Sequence, residues 1–344
     1  MRSWVAIAGL LLAGAAIGQP ALGQAATIQT EKPEGPTGWV ESGEQVRLGR
    51  AGIALPKEIR GFRLIETRLL DAQGFDAVAR YQRGDEHLTL YLYQPIDNAA
   101  RLQWNSALNI VRRRLQSEGG GAAQQVEAVA AARGPAMLAS FDNKHAADVL
   151  MMGRLDNGWN LKLRLSSRPP AAEARAEALA LFNSIALPEG RSLIAPDLRP
   201  IPACEPLEFA RTPKAEQVSS QQRMQLTLGA VAMLSSVGKE TDTTDWCTAG
   251  ATQIGQLPIT LYRGPAEKGA NVYRVPLGDN GAMLKLEPAV IPVGKAGWWL
   301  LFDRISDRIV LQILDGPGDD ADMADIIARF DQLAREPVTI VGRN

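Results

Sequence analysis

Two histidines, two cysteines and a scatter of carboxylates are what this 344-residue chain offers for acid–base, nucleophilic or metal chemistry. Histidine is the side chain best suited to proton transfer near neutrality. His87 stands beside Glu86 at the start of an alternating run, and His145 follows Lys144 in an expected turn. Neither belongs to an HExxH pair, and both read as structural or surface residues. A catalytic site would have to be assembled from His87 and acids brought together by the fold. No GxSxG or Ser-x-x-Lys nucleophile motif is present. Gly238-Lys239-Glu240 lacks the Ser or Thr and the glycine-rich lead-in of a phosphate loop. The Asp315–Asp322 stretch lacks the alternating acids, central Gly and terminal Glu of a helix-loop-helix calcium site. Acids just before a helix are expected as caps of free backbone N–H groups. No catalytic residue, metal ligand or cofactor is assigned.

Cys204 and Cys247 form no CxxC pair, and two ligands cannot complete a four-coordinate zinc site. In an oxidising compartment the expectation is one structural disulfide, with free thiols as the alternative. The compartment is read from the first residues. Met1-Arg2 is followed by an apolar run from Val5 to Ile17, then by Pro20 and the small residues Ala21, Gly23 and Ala25. A basic start, a short apolar core and a small-x-small end make a cleavable secretory signal, expected to occupy residues 1–25. The run falls short of the ~20 apolar residues of a spanning helix, which is the rival reading. No transmembrane segment is expected after it, and the localisation read is periplasmic or secreted.

The formal net charge of −1 predicts neither nucleic-acid binding nor adhesion to an anionic membrane. Arg112-Arg113-Arg114 is the local exception. It lies on an expected helix whose apolar stripe is Trp104, Leu108, Val111 and Leu115, so a solvated helix face accounts for it.

The elements that would position these groups fall into two halves. Residues 26–48 read as a flexible lead-in, 49–188 as a first domain, 189–203, with three prolines, as a linker, and 204–344 as a second domain. In the first domain Leu88 to Tyr93 alternates as a strand, and a helix spans about 98–115, ended by Gly119-Gly120-Gly121. Asp156-Asn157-Gly158 joins strands at about 146–155 and 159–165, because Asn-Gly accepts the positive φ angles of a tight turn. Trp159, Leu161, Leu163 and Leu165 are expected inward, with Asn160, Lys162 and Arg164 outward. A helix then runs from Pro169-Pro170 to about Ala186. In the second domain a helix is expected at about 215–237. Strands follow near 257–263, 270–275, 282–286, 298–303 and 308–314, then a helix at about 320–334. Adjacent Trp298 and Trp299 must point to opposite faces of their strand. Either both are packed, or one is exposed as a binding surface.

Both halves close with a hairpin followed by a helix, carrying Leu179, Phe182 and Ile185 in one and Ile327, Phe330 and Leu333 in the other. The expected fold class is therefore α+β, two tandem domains that repeat one antiparallel sheet packed against helices. Over residues 50–188 the order of strands, helix, hairpin and closing helix, with Gly158-Trp159-Asn160-Leu161-Lys162-Leu163-Arg164 before the last helix, resembles the PsbP-like sandwich. That resemblance implies a helper or binding module and brings no catalytic motif. The function expected is a non-catalytic envelope module that binds a partner protein or an apolar ligand. A hydrolase using dispersed acids and His87, and a purely structural accessory subunit, are the alternatives.

Overall fold

The structure is a computed structural model. It describes residues 37–342 apart from 98, 118–122, 143–146, 168–169, 196, 206–213, 216, 218, 221, 223–244, 255–256, 266–270, 279, 289–296, 317 and 336. The expected signal segment, His145, Gly119-Gly120-Gly121, Lys239 and most of the helix expected at 215–237 lie outside the described residues.

Strands β1 (Trp39–Ser42), β2 (Gln45–Leu48) and β3 (Ile53–Pro56) form a small antiparallel sheet. Val46, Leu48, Ile53 and Leu55 alternate with outward residues along it and are buried. Next come β4 (Glu58–Ile59), β5 (Phe62–Leu69), β6 (Asp76–Arg83), β7 (Glu86–Tyr93) and helix α1 (Ala100–Ser117). They are followed by β8 (Ala123–Ala131), β9 (Gly134–Asp142), β10 (Ala147–Leu155), β11 (Asn160–Ser167), helix α2 (Ala171–Asn183) and β12 (Leu193–Ile194). The nine strands β4 to β12 make one sheet, ordered β4-β5-β6-β7-β11-β10-β9-β8, with β12 beside β10.

Both faces of this sheet are covered. On one, Leu88, Leu90, Leu92, Leu161, Leu163 and Leu165 meet the small sheet and α2, which contributes Ala174, Ala178, Leu181 and Phe182 at helical spacing. Each fully buried leucine contributes roughly 1.5–3 kcal/mol. On the other, the stripe Trp104, Ala107, Leu108, Val111 and Leu115 of α1 packs on Met137, Ala139, Phe141, Leu150 and Met152. Gly158, with φ at +86°, closes the β10–β11 hairpin.

The second half is a seven-stranded antiparallel meander in simple chain order. Its strands are β13 (Cys247–Ile254), β14 (Leu257–Pro265), β15 (Asn271–Pro276), β16 (Met283–Pro288), β17 (Trp298–Asp303), β18 (Asp307–Leu314) and β19 (Thr339–Gly342). Helices α3 (Asp320–Ala328) and α4 (Phe330–Leu333) connect β18 to β19. Asp319 caps α3 in a reciprocal box, its carboxylate accepting from the Asp322 N–H while Asp322 accepts from the Asp319 N–H.

These sheets correct the expected fold class. Strand residues far outnumber helical ones among the described residues, and the chain is mostly β rather than a helix-packed α+β sandwich. The strands β1, β5 and β8 carry small or charged residues at many positions, so alternation of apolar side chains barely marks them. Backbone pairing and the packing of half their side chains stabilise them instead. The halves do not repeat one sheet either. β12 returns beside the first strand of its preceding hairpin, whereas β19 returns beside the second strand of its own.

Residues 189–203, expected as a linker, are held along much of their length. Leu193 and Ile194 pair with β10, the Arg101 guanidinium donates to the carbonyls of Arg199 and Pro200, and Ile201 packs at the boundary between the halves. Cys204 and Cys247 are disulfide-bonded, 43 residues apart in sequence. No helix among the described residues is long and apolar enough to cross a membrane.

Candidate functional site

Pairing in the second sheet separates its side chains by parity. Tyr273, Val275, Leu284, Leu286, Trp298 and Leu300 face α3, where Met323, Ile326 and Ile327 complete a core. The neighbouring positions Arg274, Lys285, Glu287 and Asp303 therefore project from the opposite face, joined by Arg308 of β18. On an open sheet that face would be solvated. Here the first half covers it: Lys285, Glu287, Asp303 and Arg308 are buried, and the Arg274 side chain is 12% exposed.

Register makes the arrangement demanding. Arg274 lies directly across from Lys285, a like-charged cross-strand pair that is unfavourable by itself. Asp97, from the loop ahead of α1, resolves it. Its Oδ2 accepts from Arg274 Nε at 3.1 Å and from Lys285 Nζ at 3.1 Å, while Oδ1 accepts from the Ala99 N–H at 2.8 Å. Glu287 accepts from Arg274 at 2.6 Å and lies 3.4 Å from Lys285. Asp303 takes Arg308 in a two-pronged contact at 2.5 and 2.7 Å and lies 3.3 Å from Lys285. Arg274, Lys285 and Arg308 thus balance Asp97, Glu287 and Asp303.

Burial alone pushes the Asp97 carboxyl up, but Lys285 and Arg274 outweigh it and hold that carboxyl well below the usual range. Glu287 follows the same course, burial being overcome by Lys285, Arg274 and Arg308. Burial would lower Arg274 and Arg308. Glu287 and Asp97 raise the first, and Asp303 raises the second. These groups stay charged at neutral pH. A general acid or base works best with a pKa near the working pH, so Asp97, Glu287, Arg274 and Arg308 are placed to hold charge rather than to exchange protons.

Other contacts seal the same seam. Ser106 Oγ donates to the Gly278 carbonyl at 2.7 Å, and Asn280 Nδ2 donates to Asp76 at 3.2 Å. Ala99 and Leu102 pack with Trp246, Tyr262 and Met283, and Ile305 reaches the core of the first half. Burial pushes the Tyr262 hydroxyl up to about 12.

The residues singled out in the sequence are placed as follows. His87 is exposed on β7, opposite Gln82 and Ser166 in register, while its neighbour Glu86 is engaged by Arg83 and Ser167. Trp298 and Trp299 are both buried. Arg112 donates to Asn109, and Arg114 donates to the buried Asp148, which also receives Arg164 and Ser166. Asn160 and Lys162, expected outward, are buried, with the Lys162 ammonium 4.2 Å from the centre of the Tyr91 ring. Their face is outward in the sheet but not in the molecule.

Sequence reasoning missed the Asp97–Arg274–Lys285–Glu287–Asp303–Arg308 cluster. Its one local signal is Arg274, Lys285 and Glu287 alternating with apolar residues in adjacent strands, a pattern also shown by any half-solvated sheet.

Two clefts border the second sheet. One lies between α1 and β14–β15 and is lined by Ser106, Asn109, Arg113, Ile259, Tyr262 and Pro276. The other, about 620 Å³, lies between α3 and the end of β18, with Lys214, Gln312, Asp322 and Arg329 on its walls. Both have mixed walls, with Ala215, Leu314 and Ile326 completing the second. The exposed large apolar side chains among the described residues, Val40, Ile65, Val126 and Ile340, stand on four different strands. No family model, curated protein or solved structure matches the chain, and nothing in those comparisons bears on the PsbP-like resemblance.

Proposed function

We propose that this chain is an exported, non-catalytic envelope module that acts by binding another protein. The observation that carries the reading is the closure of the buried ion cluster on itself. The densest set of chemically able groups among the described residues is occupied in joining the two halves and faces neither cleft. The exposure of His87, away from both clefts, weighs against the hydrolase alternative. Both clefts mix polar and apolar walls and lie partly open at the surface, and neither encloses an apolar ligand, which favours a protein partner. The disulfide fits an oxidising compartment, and export follows from the signal pattern of residues 1–25.

The test is cross-linking capture from an envelope fraction, with the purified oxidised chain as bait and a panel of ester, glycoside, phosphoester and peptide substrates assayed in parallel. The expected result is saturable capture of a defined protein and no turnover. Turnover that disappears in His87→Ala would overturn the proposal.

A further inference from the structure

Strand β8 ends the large sheet, and among the described residues nothing pairs with its outer side. Edge strands are ordinarily kept apart by Lys, Pro, brevity or bulges. β8 has nine residues, reads Ala-Gln-Gln-Val-Glu-Ala-Val-Ala-Ala, and carries neither Lys nor Pro. Its single charge, Glu127, is neutralised by Arg175 of α2, which also engages Gln125. Its bulge lies at one end, between Ala123 and Gln125, and leaves the pairing from Gln125 to Ala131 unbroken.

Register shows which backbone groups are free. Ala130 lies opposite Pro135, which has no N–H, so theirs is a non-bonded pair. Bonded and non-bonded pairs alternate along an antiparallel ladder. Val126, opposite Ala139, and Ala128, opposite Met137, are therefore non-bonded as well. All three residues turn their N–H and C=O groups to the open side, and all three side chains are exposed.

We infer that β8 is a self-association edge, on which a second copy of this chain adds its own β8 antiparallel about a twofold axis at Ala128. The outward-bonding residues Val126, Ala128 and Ala130 are symmetric about that point. Only this centre places each opposite another of the set, giving about six new backbone hydrogen bonds. The same register sets Glu127 against Val129 of the second copy, so no like charges meet. A centre at Glu127 would bring two carboxylates together, which is unfavourable. A nine-residue strand is about 30 Å long, and a strip of that length buries roughly 600 Å² over both partners, below the ~1,200 Å² of stable complexes. The association is accordingly weak and rises with concentration.

Sedimentation of the full oxidised chain from micromolar to about millimolar concentration tests it beside two variants. Ala128→Pro removes an outward N–H without touching the bonds to β9. Ala128→Cys adds a thiol whose counterpart across the axis lies about 5.5 Å away between Cα atoms, within disulfide reach. The native cysteines do not interfere, being bonded to each other. The wild type is expected to approach twice the monomer mass while Ala128→Pro, checked for an unchanged thermal midpoint, stays monomeric. Ala128→Cys is expected to oxidise to a covalent dimer, and Val40→Cys, exposed on a different sheet, to remain monomeric. A wild type that stays monomeric throughout would overturn the inference. So would a dimer undiminished in Ala128→Pro, or equal cross-linking at positions 40 and 128.

Discussion

Replacing Asp97 by Ala tests the seam most directly. The carboxylate takes charged hydrogen bonds from Arg274 and Lys285, both at 3.1 Å, and one from the Ala99 N–H. Its removal leaves Arg274, Lys285 and Arg308 set against only Glu287 and Asp303, with Arg274 and Lys285 still opposite each other. Breaking a buried pair from one side costs about 3–5 kcal/mol, mostly because the remaining charge is stranded. With a urea dependence near ~3 kcal/mol per molar for a chain this long, the midpoint should fall by about 1–1.7 M. Equilibrium urea unfolding, followed by tryptophan fluorescence with the disulfide intact, measures it. Trp246 and Trp299 report from the second half, and Trp104 and Trp159 from the first. The double variant Asp97→Ala/Lys285→Met restores charge balance and should recover at least about 2 kcal/mol of coupling. If Asp97→Ala unfolds within about 1 kcal/mol of the wild type, or if the two changes simply add, the cluster does not hold the halves together.

Three further outcomes follow from the same geometry. Reducing the Cys204–Cys247 bond frees a loop of 43 residues and should lower stability by about 4 kcal/mol in the chain-entropy account, seen as a lower urea midpoint in dithiothreitol. Gly281→Ala places a Cβ 2.8 Å from Pro95 at a φ of +89°, so its thermal midpoint should fall well below that of Gly43→Ala, where φ is +56° but nothing lies within 4 Å. In acid the sign is set by carboxyls held low in the fold. The stability that Asp97 and Glu287 contribute is fully present above their unfolded values near ~4 and is lost as pH falls through their lower folded values. Asp97→Asn should therefore flatten the loss of stability below pH ~4 in acid titrations monitored by circular dichroism.

Much of the local structure was legible from sequence. The Asn157-Gly158 turn, the alternating leucines of β7 and β11 and the Trp104–Leu115 stripe of α1 lie where their spacing places them, because each is a periodic signal within a single element. The β8–β9 hairpin was not legible, since Ala and Gln at alternate positions give no apolar period. The ion cluster was hidden for a different reason. Whether Arg274 and Lys285 meet water or protein depends on Asp97, far away in sequence, and no window along the chain contains both sides. Asn160 and Lys162 were misplaced by the same logic, since alternation distinguishes the two faces of a sheet but not whether the second face is also covered.

The like-charged pair Arg274–Lys285 also bears on how the second half depends on the first. A second sheet without the first half would leave Arg274, Lys285 and Arg308 facing water with only Glu287 and Asp303 beside them. Asp97 precedes that sheet by about 150 residues in the chain, and the later strands close against the surface it belongs to. The seam thus couples closure over the charged face of the second half to a first half that supplies Asp97.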